Sequence, residues 1–256
     1  LSTELSTGLL QAAQRNLQAS QPAFWGFEFG KVFTRLEGDY AEEERVCGVL
    51  AGVRRSESWS ASPDSSQLDY HQGRGLLQQA LAEIGLWLQD RRLSDHPQLH
   101  PGRAASLVLE GKVIGVFGEL HPAVAEAHDL PAGCLLFDLA MAPVLTAAAR
   151  PNRSTPVFKP YATVPASERD IACVVDDAVE AGAVLQAINK AGGALLEHVE
   201  LLDRYSGDPI LAGQCSLAVR MRFRDAKATL RDEQVEPLVE KVRDALQRQF
   251  KAELRD

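Results

Sequence analysis

Cys215-Ser216-Leu217-Ala218-Val219-Arg220-Met221-Arg222-Phe223-Arg224 alternates without a break: the odd positions are Cys, Leu, Val, Met and Phe, the even ones Ser, Ala and three arginines. A period of two puts these two sets on opposite faces of a β-strand. One face buries an apolar row, and the other carries cations that belong in water, so the strand fits a sheet covered on one side only. At ~3.4 Å per residue the arginines stand about 7 Å apart, close to the phosphate spacing of a nucleic-acid strand.

Reading outward from this strand gives the rest of its sheet. Leu195 to Tyr205 precedes it as a second strand within a hairpin, with Ser206-Gly207-Asp208-Pro209 as the turn and Ile210 to Arg224 as the returning strand. Upstream, Ala181, Val184, Leu185 and Ile188 recur at helical spacing and stop at Gly192-Gly193, and Asp170 to Val175 is strand-like. Downstream, Val235, Leu238, Val239, Val242 and Leu246 mark a long amphipathic helix, and Ala252 and Leu254 suggest a short last strand. The order βαββαβ is the ferredoxin-like arrangement, an antiparallel sheet with both helices on one face. Lys227 and Arg231 extend the positive row, while Arg204 and Tyr205 end the neighbouring strand with a guanidinium and a ring able to stack on a base. The pattern by itself leaves three readings: a solvated face whose arginines pair with Asp203, Glu200 or Asp225, an RNA or other polyanion site, or a docking site for an acidic protein or small anion. Arg169 and Asp170 are adjacent and therefore point to opposite faces. Either Asp170 is buried and accepts backbone N–H bonds, or Arg169 contacts RNA.

The apolar periodicity breaks from Ala147 to Pro156, which reads as a linker. Before it, Leu5, Leu9, Leu10, Ala13 and Leu17 mark a helix, Phe27 and Phe29 and then Val46 to Ala51 are strand-like, and a Ser-rich loop from Ser56 to Ser66 leads to a helix near Leu76 to Leu86. A hairpin of Ser106 to Leu109 and Val113 to Phe117 turns at Glu110-Gly111-Lys112, followed by a short helix Pro122 to His128 and a strand Cys134 to Leu139. The expected class is α+β, two domains with antiparallel sheets.

Composition agrees with globular domains: 256 residues, 45% hydrophobic and 24% charged, excluding disordered and collagen-like chains. A net charge of −8 argues against coating nucleic acid in bulk but permits one basic face. No apolar run approaches the ~20 residues of a membrane helix. Leu1-Ser2-Thr3 has no initiator Met and no signal-peptide pattern, which suggests a fragment. Cys47, Cys134, Cys173 and Cys215 show no CxxC spacing and read as core thiols in a reducing cytoplasm.

Several motifs are recognisable. Pro165-Ala166-Ser167-Glu168-Arg169-Asp170-Ile171-Ala172, Val199-Glu200-Leu201-Leu202-Asp203-Arg204-Tyr205-Ser206-Gly207, Ala228-Thr229-Leu230-Arg231-Asp232-Glu233 and Leu254-Arg255-Asp256 resemble the ferredoxin-fold anticodon-binding domain that ends the β subunits of bacterial phenylalanyl-tRNA synthetases. Phe27-Glu28-Phe29-Gly30-Lys31-Val32-Phe33, Leu99-His100-Pro101-Gly102-Arg103-Ala104-Ala105 and Ile114-Gly115-Val116-Phe117-Gly118-Glu119-Leu120-His121-Pro122 are similar to the preceding class II synthetase-like domain of that family, which has no active site. The resemblance implies a class II synthetase-like, catalytically inactive domain at 1–150 and an anticodon-binding domain at 156–256. It implies a cytoplasmic (αβ)2 heterotetramer that joins phenylalanine to tRNA(Phe) with ATP and Mg2+. The α subunit carries the chemistry, and β supplies architecture, tRNA contacts and, upstream of this stretch, editing. No catalytic residue, metal or cofactor is expected within this chain, which would be roughly the last third of β without the family's upstream acidic magnesium ligands. The expected tRNA-binding residues are Arg169, Arg204, Tyr205, Arg220, Arg222, Arg224, Lys227 and Arg231. Arg231 departs from the family pattern, where a Thr precedes the acidic pair; a cation replaces a capping hydroxyl at the positive end of a helix.

Independent catalytic motifs are weak. His96 and His100 have i,i+4 spacing, but Pro97 interrupts the helix that would align them as metal ligands. Gly73-Arg74-Gly75 and Gly26-Phe27-Glu28-Phe29-Gly30 lack the Lys-Ser/Thr of a phosphate loop and read as turn and packing glycines. No nucleophilic Cys–His arrangement can be assigned from spacing, and neither the arginine–acid pair nor the glycine-rich strand of a class II ATP site is evident. His100-Pro101-Gly102-Arg103 reads as a turn and Pro122 as a first helical residue; if exposed, His100 and Arg103 would be open to the α subunit or tRNA.

Overall fold

Leu9, Leu10 and Ala13 form the buried stripe of the first helix, α1 (Ser6–Gln18), in a computed structural model that describes residues 2–36, 39–53, 68–151, 158 and 161–255. The chain divides into two compact units, Leu1–Val157 and Phe158–Asp256, each with buried apolar clusters of its own.

In the first unit α1 leads into β1 (Ala23–Leu36) and β2 (Asp39–Gly52), paired from Ala23↔Gly52 to Leu36↔Asp39. Then follow α2 (Tyr70–Ala82), β3 (Gln89–Arg92), β4 (Leu99–Leu109), β5 (Lys112–Leu120), α3 (Pro122–Ala127), β6 (Leu135–Ala140) and α4 (Met141–Ala148). The six strands pair antiparallel in the order β1-β2-β6-β5-β4-β3. Successive residues feed opposite faces: Leu136 and Cys47 join the core with Leu9, Leu10 and Ala125, whereas Leu135 and Val46 join the one with Leu77, Leu81 and Val144. Helices therefore cover both sides of this sheet.

Three local expectations are corrected here. The first hairpin is much longer than Phe27–Phe29 and Val46–Ala51 suggest. Residues 39–44 pair only with β1, and apart from Val32, which is buried with Leu5 and Leu9, this two-stranded ribbon is mostly charged and exposed, held by pairs such as Lys31–Glu42 at 2.9 Å, so it shows no regular apolar period to read. Helix α2 starts at a capping box in which Asp69 Oδ1 accepts the Gln72 N–H at 2.7 Å and Gln72 Oε1 accepts the Asp69 N–H at 3.3 Å. It stops at Ala82 rather than near Leu86, because Gly85 turns the chain at φ 71° and Leu86 folds back into the core. Lys112 belongs to the ladder, leaving a two-residue turn of Glu110 (φ 51°) and Gly111 (φ 83°), the positive pair that suits strand twist. Gly73 is a packing glycine, in keeping with the sequence reading: it sits inside α2, where a Cβ would lie 2.1 Å from Leu135 Cδ1, so its absence lets the helix approach β6. The Ser-rich loop from Ser56 to Ser66, the linker residues from Asn152 to Pro156 and Asp256 lie outside the described residues.

The second unit runs β7 (Ser167–Asp176), α5 (Ala181–Gly192), β8 (Leu196–Tyr205), β9 (Gln214–Phe223), α6 (Asp232–Phe250) and β10 (Glu253–Arg255). The antiparallel order is β10-β7-β9-β8, the ferredoxin-like topology read from the sequence. Cys215, Leu217, Val219, Met221 and Phe223 are each 1% exposed or less and pack with Val184 and Ile188 of α5 and Val235, Val239, Val242 and Leu246 of α6. The returning strand starts at Gln214, not Ile210, because Gly213 takes φ 85° and Leu211 is exposed.

All four cysteines are free and buried. Burial pushes the Cys47 thiol up to about 12 and those of Cys134 and Cys173 up to about 11. The thiolate is the reactive form, so an aromatic disulfide reagent at pH 8 is expected to label none of the four in the folded chain and all four after unfolding. Stoichiometric labelling of the native chain would contradict this core.

Candidate nucleic-acid interface

Both helices of the second unit pack on the odd face of β9, which leaves the even face without a helix. The register sorts that face into rows across β7, β9 and β8: Glu168–Arg222–His198, Asp170–Arg220–Glu200, Ala172–Ala218–Asp203 and Val174–Ser216–Tyr205. Arg220 and Arg222 thus share one face, as their parity requires, whereas Arg224 lies one residue beyond the end of β9.

They are not a bare cationic stripe. Arg220 is bidentate to Asp170, with Nε to Oδ1 at 2.8 Å and Nη2 to Oδ2 at 2.7 Å, and Glu168 Oε2 lies 3.8 Å away. Arg222 donates from Nε and Nη2 to Glu168 Oε1 at 3.0 Å. Arg224 is tied to Glu197 at 3.0 Å and donates from Nη1 to the Val164 carbonyl at 2.7 Å, which makes it a clasp on the segment before β7. The sequence reading named Asp203, Glu200 and Asp225 as pairing partners; the acids that close on the arginines are Glu168, Asp170 and Glu197. Asp170 is exposed rather than buried. The guanidinium hydrogen-bonded to it holds its carboxyl below the ordinary carboxylate value, and Asp170 in turn raises Arg220.

Arg169 stands on the other side of the sheet. It lies opposite Met221 and reaches the first turns of α6, donating to Glu236 Oε1 at 3.0 Å and to Asp232, and also to Ser167 Oγ and the Glu168 carbonyl. Glu236 and then Asp232 raise its pKa. Arg204 lies opposite Leu217, also on the helix side, and pairs with Asp177. Tyr205 is on the open face opposite Ser216, half-exposed, with its hydroxyl donating to the Asp208 carbonyl at 3.0 Å. Lys227 and Arg231 follow β9 at the far end and are exposed; among the described residues neither side chain has an ion-pair partner. Arg231 is the N-cap of α6 without a side-chain cap bond, and Gln234 Oε1 accepts its N–H at 3.0 Å in partial replacement.

The arrangement therefore has two ends, with Tyr205 beside Ser216 and Lys227 and Arg231 beyond Phe223. The seven residue steps from Ser216 to Phe223 span ~24 Å. The Tyr205 ring leans over the Gly207–Asp208 turn, while Ala172, Ala218 and Ser216 form a run of small side chains farther along the same face. Sequence reasoning missed this run and His198, although strand parity marks both once the strand order is known. It also missed Tyr161, which is 80% exposed and lines a cleft of about 440 Å3 with Arg224 and Glu197, because Tyr161 lies outside any periodic run.

In the first unit His100 Nδ1 accepts the Gly102 N–H at 3.0 Å within β4, and His121 Nδ1 accepts the Ala123 N–H at 3.2 Å at the start of α3, with Pro122 as its first residue. Arg103 is bidentate to Glu119 at the side of a cleft of about 530 Å3. The two glycine stretches lie within β1 and α2, not in phosphate loops. Among the described residues no three His, Cys, Asp or Glu side chains group to hold a metal, and no helix is long and apolar enough to cross a membrane.

Residues 1–141 match the phenylalanyl tRNA synthetase beta chain CLM domain, and residues 162–255 match the ferredoxin-fold anticodon binding domain. Over 255 residues the chain is 47% identical to the phenylalanine–tRNA ligase beta subunit of Synechococcus sp. (strain CC9605), 45% to that of Prochlorococcus marinus (strain MIT 9313) and 37% to that of Trichormus variabilis. Each alignment covers 100% of this chain and 31–32% of the relative, so the chain spans about a third of the length of the curated relatives it matches.

Proposed function

The chain belongs to the family of phenylalanyl-tRNA synthetase β chains, and from that premise we propose that its second unit binds the anticodon stem-loop of tRNA(Phe) across the open face of its four-stranded sheet. The observation that carries this reading is that the uncovered face, within the stretch matched by an anticodon-binding family, holds Arg220 and Arg222 with Tyr205 at its end. Arg220 and Arg222 meet backbone phosphates, Tyr205 stacks a splayed base at the turn end of the face, and Lys227 and Arg231 reach the backbone at the opposite end. Phosphate contacts position the loop, and base contacts near Tyr205 tell one anticodon from another. Arg169, Arg204 and Arg224 serve this indirectly, by tying β7 to α6, β8 to the turn before α5, and β9 to the segment before β7.

In the same reading residues 1–150 are a class II-like domain that assembles with an α subunit, and residues 156–256 are the anticodon-binding domain. The whole enzyme is a cytoplasmic (αβ)2 heterotetramer that attaches phenylalanine to tRNA using ATP and Mg2+. The first unit's cleft does not fit ATP: its arginine, Arg103, is already closed on Glu119, and its remaining lining is not a phosphate cradle. No step of the ligation is assigned to this chain.

The test is a titration of the 256-residue chain with a Phe-anticodon stem-loop and a scrambled loop at several salt concentrations. Salt-dependent binding with preference for the Phe loop is expected. Equal affinities would remove base reading from this chain, and no binding at low salt would overturn the assignment.

A further inference from the structure

We propose that Glu168 and Asp170 set the RNA affinity of this face by occupying Arg220 and Arg222, so that any polyanion must displace two built-in carboxylates before it can bind. The inference rests on the anticodon-binding reading of the same face.

Strand register creates the arrangement. Glu168 and Asp170 have the parity of Ala172 on β7, and the β7–β9 pairing puts them directly opposite Arg222 and Arg220. Among the described residues neither carboxylate has a hydrogen-bond partner other than these arginines, so nothing else holds the two acidic groups in place. Asp170 takes the Nε–Nη2 edge of Arg220 at 2.7–2.8 Å, and Glu168 takes the same edge of Arg222 at 3.0 Å while lying 3.8 Å from Arg220. That planar edge is the one a phosphate would engage with two parallel bonds. Phosphate and carboxylate therefore compete for one set of donors.

The pairs are poor candidates for stabilising the fold. All four side chains are 40–51% exposed, and ion pairs this wet contribute little to stability. Their consequence falls on binding. A ligand that needs free arginines meets them only in the fraction of molecules where the pairs are open, and its apparent affinity drops by that fraction. Because the factor applies to every ligand that uses both arginines, the carboxylates lower the strength of binding to all RNA and leave the preference between anticodons to the Tyr205 end.

The experiment compares the full chain with E168Q/D170N, in which amides of the same shape replace the carboxylates, using the Phe and scrambled stem-loops. Binding to both is expected to tighten by about 3- to 10-fold with their ratio preserved, and the salt slope to steepen by about 0.7 for each liberated arginine. In an R220Q/R222Q background the same pair of amides should have no further effect, which separates competition for the arginines from a general change in net charge. E240Q/D244N, which removes two exposed carboxylates from α6, controls for net charge and should leave affinity nearly unchanged. If the wild-type chain binds and E168Q/D170N binds equally or more weakly, the carboxylates position the arginines instead of restraining them and the inference is overturned. Failure of the wild-type chain to bind any stem-loop would instead remove the reading on which the inference stands.

Discussion

Replacing Phe223 by alanine is expected to destabilise the second unit by about 3–5 kcal/mol, the range for emptying a large aromatic from a closed core. Phe223 is 0% exposed and is the last inward residue of β9, between Ser167 on β7 and Leu196 on β8. A domain of this size has ~5–15 kcal/mol of total stability, so one side chain accounts for a large share. The two units have separate cores, and all 3 tryptophans lie before residue 158. Hydrogen exchange of peptides from β7 and β9 should therefore accelerate strongly in F223A while the tryptophan fluorescence transition of the first unit stays in place. A loss below ~1 kcal/mol would be within the range of surface substitutions and would contradict the core described for the second unit.

R220Q/R222Q is expected to weaken stem-loop binding by about tenfold, equivalent to ~1.4 kcal/mol, and to flatten the salt slope by about 1.4 for two lost phosphate contacts on single-stranded RNA. The melting temperature should hardly move, because the pairs removed are exposed on the open face. Arg224 is left out of this variant on purpose. Its bonds to Glu197 and the Val164 carbonyl make it part of the structure, and R224Q would disturb the segment before β7 along with any RNA contact. Affinity that survives R220Q/R222Q unchanged would shift the phosphate contacts to the unpaired Lys227 and Arg231.

Much of this was legible because the decisive strand carries a strict period of two. Parity alone separated Cys215, Leu217, Val219, Met221 and Phe223 from Ser216, Ala218, Arg220, Arg222 and Arg224, and the βαββαβ order followed from the flanking stripes. What parity cannot provide is the neighbour across the ladder. Asp170 looked like a candidate for burial because a lone acid in an apolar strand often is; only the β7–β9 register reveals Arg220 opposite it. Arg169 shows the converse. Its charge suggested an RNA contact, yet its odd position sends it to the helix side, where the acidic first turns of α6 receive it. The long β1–β2 ribbon escaped notice for a related reason: beyond Val32 it is mostly exposed, so its polarity shows no regular alternation.

The central claim, that RNA lies on the open face, is tested most directly by titrating the Phe stem-loop against A218E and K241E. Ala218 lies in the middle of the open face between Ala172 and Asp203, and Lys241 is exposed on α6 beside Lys190 on the helix side. A218E adds one negative charge and K241E changes the charge by two, so a non-specific electrostatic surface would suffer more from K241E. The account predicts that A218E abolishes binding at moderate salt while K241E binds like the wild type. Loss in K241E with retention in A218E would place the RNA on the helices and contradict it.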